Sequence, residues 1–462
     1  MAFSSAAFVF VFLPIVFLLH TLIRNQRARN VLLIVASLLF YSAGALVHLP
    51  LLLAVVLVNY LAGLLFLRGT KHKRAVLAVA VILNIGALAV FKYLDFFTGS
   101  LNEAFGLSIP LAKLALPIGI SFFIFQGLSY TIDVYRDPSV GSRSFWELLL
   151  YISFFPQLIA GPIVKYSDVR TQIRSRETTP ADMAAGCRRL IVGLAKKLLI
   201  ADILAGTVDT FFASGITDAR LSAVAAVFYT LQIYFDFSGY SDMAIGMGRM
   251  FGFHFLENFD LPYIAGSVRQ FWKRWHISLT SWFRTYLYIP LGGNRKGQLR
   301  TCLNVLLIFL LTGLWHGAGW TFILWGLWHG LWSVLERVTP LKKLEGTVFG
   351  HVYTLLVVIF GFVLFRADSL SQAWTVLGGL FTGWSFPQEG TLLLRQCLDA
   401  KVLTAAVSGI VLSTGVQRKL FAWVQKHRPL EVTAYAGALL LFVLCILRLS
   451  SASFNPFIYF RF

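Results

Sequence analysis

"TCLNVLLIFLLTGLWHGAGWTFILWGLWHGLWSVL", residues 301–335, runs for thirty-five positions without a formal charge. As one helix it would be about 52 Å long, against a bilayer hydrocarbon core of about 30 Å. The run therefore breaks. Gly317-Ala318-Gly319 is the cheapest place, because glycine adapts its backbone and exposes no side chain. One copy of Gly-Leu-Trp-His-Gly stands on each side of this break, so His316 and His329 lie thirteen residues apart. In an unbroken helix they would be about 20 Å apart on nearly opposite faces. Arg300 and Arg337 bracket the run. Counted from these ends, His316 lies about 24 Å in and His329 only about 12 Å in.

The whole chain is as apolar as this stretch suggests. Of its 462 residues, 57% are hydrophobic and 15% aromatic, only 13% are charged, and the mean hydropathy is +0.73. Length alone would suggest about three soluble domains, but the apolar runs read as one polytopic membrane domain over 1–462. The net charge of +19 sits in short clusters between apolar runs. That is how cytoplasmic loops fix topology and attract anionic headgroups or an anionic substrate, and it implies the lipid bilayer, not nucleic acid, as partner. Cys187, Cys302, Cys397 and Cys445 show no ligand spacing and no disulfide framework. No metal site is expected.

Residues 8–22 are apolar and end in "RNQRARN". A signal peptide carries its charge before the apolar core, so this is a first spanning helix with the N-terminus outside. Further spans at 31–47, 51–67 and 75–90 alternate with "RGTKHKR" as positive-inside requires. Residues 116–137 can span. The next apolar stretch, "LLLYISFFPQLIAGPIVKY", has basic residues at both ends and Pro156, Gly161 and Pro162 inside it. It reads as re-entrant, which is tolerated at depth only where backbone is buried in protein or lines a cavity. Later helices are expected at about 190–212, 221–237, 303–314, 321–335, 352–365, 403–412 and 432–449. The stretch from residue 236, "DFSGYSDMAIGMGRMFGFHF", is rich in Gly and Ser and holds Asp236 and Asp242. The result is an all-α polytopic membrane protein with roughly eleven transmembrane or re-entrant helices.

Residues 269–300 hold seven Lys/Arg and no Asp or Glu. Phe271, Trp275, Leu279, Trp282 and Tyr286 recur at helical spacing, the pattern of a helix lying at the cytoplasmic interface. His276 neighbours that aromatic face, where a positive field suits an anionic ligand such as coenzyme phosphates. An ionisable residue inside a membrane segment is a functional hypothesis by default. His316 has glycines that permit close approach, Trp315 and Trp320 to wall it, and an imidazole suited to act as base on a hydroxyl. His329 fits a packing role as well as a functional one. Proton-relay histidines in a transporter or flippase fit the same residues, and so does a scaffold subunit of a polysaccharide export complex.

"PIGISFFIFQGLSYTIDVYR", "FFPQLIAGPIV", "YFDFSGYSDMAIGMGRMFGF", "FWKRWHISLTSWFRTYLYIPLGGNR" and "LTGLWHGAGWTFILWGLWHG" stand in this order. Together they resemble the membrane-bound O-acyltransferase family, in its bacterial alginate O-acetyltransferase-like branch. The motif-bearing core runs over about residues 115–340. The resemblance implies helices around a central tunnel in the bacterial inner membrane. It implies acetyl-CoA as donor substrate, with no bound cofactor. The acetyl group would pass to a hydroxyl on an extracytoplasmic partner of the SGNH-hydrolase type, within a polysaccharide biosynthesis complex. The family's catalytic histidine falls on His316 and its second polar position on His276. Trp272, Arg274, Trp275, Trp315, Asp236, Ser238 and His329 complete the expected substrate-contacting set.

Overall fold

The computed structural model describes residues 3–425, 428–451 and 457, which form helices and connecting turns with no strand among them. Among the described residues six helices are long and apolar enough to cross a membrane, or seven if the bent pair Gln388–Cys397 and Ala400–Ser413 is one span. Phe8–Leu22 is apolar but shorter. The chain folds as two compact units, residues 1–190 with 241–257 and residues 191–240 with 258–462.

In the first unit, apolar helices are joined by buried amides. Asn59 and Asn84 exchange side-chain hydrogen bonds at 3.0 and 3.3 Å, and Thr131 donates to the Asn59 oxygen at 2.6 Å. Gly127 makes room for this knot, since a Cβ there would stand 2.5 Å from the Asn59 amide nitrogen. Small residues and amides joining helices are the usual glue where lipid tails remove any hydrophobic preference for helix contact. The stretch expected to be re-entrant is interrupted. A helix over Phe145–Ser153 stops at Phe154, Phe155–Leu158 adds one turn, and irregular backbone follows. Residues 148–164 are all buried. Tyr151 Oη donates to the Val164 carbonyl at 2.8 Å, and Gln157 Nε2 to the Tyr151 carbonyl at 2.5 Å. Non-helical backbone is thus buried and bonded within protein, the condition under which a bilayer tolerates it.

Two expectations are corrected. The helix expected to end near residue 237 instead runs unbroken from Ala219 to Met250, straight through the Gly/Ser-rich stretch. Its glycines serve close packing, not a loop. A Cβ on Gly239 would stand 2.7 Å from the Gly193 carbonyl oxygen, and one on Gly246 2.7 Å from that of Gly186. The single amphipathic helix expected after residue 269 is instead two short helices, Val268–Arg274 and Ile277–Phe283. Phe271, Trp275, Leu279, Trp282 and Tyr286 are all buried. Their aromatic face packs into protein and not onto a lipid surface.

The second unit contains the opening stretch. Gln298–His316 and Trp320–Val338 are separate helices, and Gly317, Ala318 and Gly319 lie between them. The doubled pentapeptide supplies the contact that closes this pair. A Cβ on Gly313 would stand 3.3 Å from Gly326 Cα and strike the Phe322 carbonyl. One on Gly326 would stand 3.2 Å from Gly313 Cα and strike the Phe309 carbonyl. The first glycine of each copy therefore packs against that of the other.

Candidate active site

His276 is placed by backbone strain and by its neighbours. It lies between the two short helices with φ 43° and ψ 55°, a left-handed conformation that histidine adopts only sparingly. Two backbone hydrogen bonds clamp the segment, from Ile277 N to the Asn258 carbonyl at 3.0 Å and from Asp260 N to the Arg274 carbonyl at 2.9 Å. Arg274 adds bonds to the Asp260 carbonyl at 2.9 Å and to its carboxylate at 3.3 Å. The ring is fully buried. Its Nδ1 lies 3.1 Å from Asn258 Oδ1, and Nε2 has no hydrogen-bond partner among the described residues. Burial holds the imidazole down at about 3, so it is neutral across the physiological range.

His316 ends the first helix of the hairpin, and its ring centroid is 6.4 Å from that of His276. Trp315 adjoins both rings, 4.9 Å from His316 and 5.9 Å from His276. Trp325 and Phe365 close the other sides of His316 at 5.0 and 5.2 Å, and Phe237 stands edge-on to His276 at 4.7 Å. Trp320, at the start of the second helix, is 55% exposed, while Trp325 is buried against His316.

His329 shares the Trp325 neighbour of His316. Its ring centroid is 5.3 Å from that of Trp325, and Trp272 stands edge-on at 5.1 Å. Gly361 leaves room for it, since a Cβ there would stand 2.5 Å from His329 Nε2. Neither ring nitrogen of His329, nor Nε1 of Trp272 or Trp325, has a hydrogen-bond partner among the described residues. A buried polar group left unmade costs about 1–3 kcal/mol. A run of such groups beside a histidine pair marks where a polar small molecule or water would be stabilised.

Trp275, Asp236 and Ser238 have the following neighbours. Trp275 is packed among Phe259, Phe271 and Phe362 at 5.0–5.5 Å. Asp236 is ion-paired with Lys197 at 2.5 Å, and that ammonium also pairs with Asp202 at 2.8 Å. Ser238 is buried, and its hydroxyl lacks a hydrogen-bond partner among the described residues. Sequence reasoning missed three buried polar groups: Asn258, Lys197 and Glu336. Glu336 is buried and accepts from the backbone nitrogens of Val268 and Arg269 at 2.5 and 2.9 Å, capping the helix that carries Trp272. The Lys196-Lys197 pair between apolar residues, and Glu336 beside Arg337 at the end of the charge-free run, were the available signals. No local spacing links Asn258 to a histidine eighteen residues later.

The family model described as the membrane-bound O-acyltransferase family matches residues 136–370. The chain is 42% identical to a probable alginate O-acetylase AlgI of Pseudomonas putida, with 100% of both chains covered. It is 34% identical to a peptidoglycan O-acetyltransferase of Helicobacter pylori, over 82% of this chain and 79% of that one. With a teichoic acid D-alanyltransferase of Bacillus subtilis it shares 26% identity over 56% and 67% of the two chains. All three names describe acyl transfer. On these matches and its apolar helices, the chain belongs to the membrane-bound O-acyltransferase family, in its alginate O-acetylase-like branch, and is a multi-pass membrane O-acyltransferase.

Proposed function

We propose that this protein moves an acetyl group from acetyl-CoA at the cytoplasmic face to a hydroxyl presented on the other side of a bacterial inner membrane. The N-terminus then lies outside. The acceptor is an extracytoplasmic partner of the SGNH-hydrolase type or an exopolysaccharide. The observation that carries this reading is the buried pair His276 and His316, 6.4 Å apart between aromatic rings, in a chain with full-length likeness to alginate O-acetylases. Arg269, Lys273, Arg284, Arg295, Lys296 and Arg300 are exposed, and they supply a positive approach for the coenzyme's phosphates.

In the proposed reaction the acceptor oxygen attacks the thioester carbon. The new C–O bond forms, the C–S bond breaks, and the hydroxyl proton ends on the departing coenzyme thiol. His316 orients the hydroxyl and takes its proton, while His276 works beside the thioester. The aromatic walls exclude bulk water, which strengthens each polar contact inside. Purified protein in nanodiscs, given a glycan hydroxyl acceptor, is expected to release coenzyme A from acetyl-CoA in preference to palmitoyl-CoA, measured as free thiol over time. A preference for palmitoyl-CoA would overturn the donor assignment. A transporter or a scaffold subunit would release no thiol from either donor.

A further inference from the structure

We infer that Asn258 is a positioning residue that holds His276 as the Nδ1–H tautomer, leaving Nε2 as a proton acceptor at the acyl-transfer centre. The inference rests on the proposed function for its catalytic meaning, but the tautomer itself follows from hydrogen-bond geometry. Three groups converge on one atom, Asn258 Oδ1. The backbone nitrogen of Ser278 lies 3.2 Å away, Ser278 Oγ 2.8 Å and His276 Nδ1 3.1 Å. A backbone N–H can only donate. The carboxamide atom it meets is therefore the oxygen, and the usual ambiguity between amide oxygen and nitrogen is removed. An oxygen acceptor cannot bond a bare ring nitrogen, so His276 Nδ1 carries the proton.

In a neutral imidazole one nitrogen donates and the other accepts. Nε2 is then the bare nitrogen, and it is the one without a hydrogen-bond partner among the described residues. Asn258 is itself fully buried, and the Ile277 N to Asn258 carbonyl bond keeps the two segments in register. The titratable group in ring contact with His276 is His316, from the hairpin. Phe237 and Trp315 supply the apolar contacts, and Ser278 Oγ lies 3.4 Å from Nδ1. Burial depresses the ring's proton affinity, which agrees with a neutral resting state. A neutral Nδ1–H ring cannot donate from Nε2 to a thioester carbonyl. In the resting enzyme His276 is thus the accepting end of a hydrogen bond.

The direct test is nitrogen-15 NMR of histidine-labelled full-length protein in nanodiscs, with the His276 signals identified by their loss in His276→Gln. The expected result is a protonated Nδ1 and an unprotonated Nε2 in the wild type, and loss of that preference in Asn258→Ala. A wild-type ring protonated at Nε2 overturns the inference. In kinetics, Asn258→Ala should lower kcat on the order of 10–100-fold with little change in KM, the scale found for partners that orient working histidines in metal sites. Asn258→Asp keeps the acceptor and adds a negative charge, which raises the ring's proton affinity. It should restore kcat at high pH and move the acidic limb of the kcat profile upward. An acidic limb that stays in place in a folded Asn258→Asp protein overturns the positioning role. Absence of acetyl-CoA turnover in the wild type would refute the proposed function alone, because the NMR result does not depend on activity.

Discussion

His316→Ala is expected to leave a folded protein whose acetyl-CoA turnover falls about 10²–10⁴-fold, the range that a positioned general base supplies. The ring lies at the end of Gln298–His316, against Trp315, Trp325 and Phe365. Truncation there removes a polar ring from a site walled by larger aromatic side chains. The hairpin contact between Gly313 and Gly326 is one turn away and stays intact. Stability should therefore change far less than rate, and thermal unfolding followed beside thiol release separates the two. If His316→Ala turns over acetyl-CoA like the wild type, His316 is not the base. If it loses turnover only because it no longer folds, the unfolding curve shows it.

Lys197→Met should have the largest effect on stability. The Lys197 ammonium is 4% exposed and is shared between Asp202 and Asp236, whose side chains are 10% and 2% exposed. Breaking a buried pair by removing one partner leaves uncompensated charge and costs about 3–5 kcal/mol. Here two carboxylates lose one cation. Replacing the whole cluster with neutral residues of similar volume, as in Lys197→Met with Asp202→Asn and Asp236→Asn, should recover much of that loss. Groups in one network are not additive, and this recovery is the signature of their coupling. The measurement is the fraction remaining folded after heating in detergent. Equal survival of Lys197→Met and wild type would contradict the structural role assigned to the cluster.

What could be read from the sequence followed from length, charge and local backbone chemistry. Length arithmetic required a break in residues 301–335, and glycine chemistry placed it at 317–319, where the helices separate. Basic residues at both ends of a Pro/Gly-interrupted stretch indicated the buried irregular segment that follows Ser153. Features set by distant contacts were hidden. Glycines that look like loop markers keep the Ala219–Met250 helix continuous because neighbouring backbones press against them. An aromatic stripe at helical spacing did not reveal that the chain turns left-handed at His276, because that conformation is held by Asn258 and Asp260. The repeat itself misleads in one respect. Its glycines pair across the hairpin, while of its two histidines, which share Trp325, His316 meets His276 and His329 meets Trp272.

The central claim is therefore that His316, and not its repeat His329, is the working histidine. Single-turnover cleavage of acetyl-CoA by wild type, His316→Ala and His329→Gln in the same nanodiscs tests it most directly. His316→Ala is expected to lose cleavage by at least about 100-fold while His329→Gln keeps most of it. Equal loss in both variants, or cleavage in His316→Ala at the wild-type rate, would contradict it.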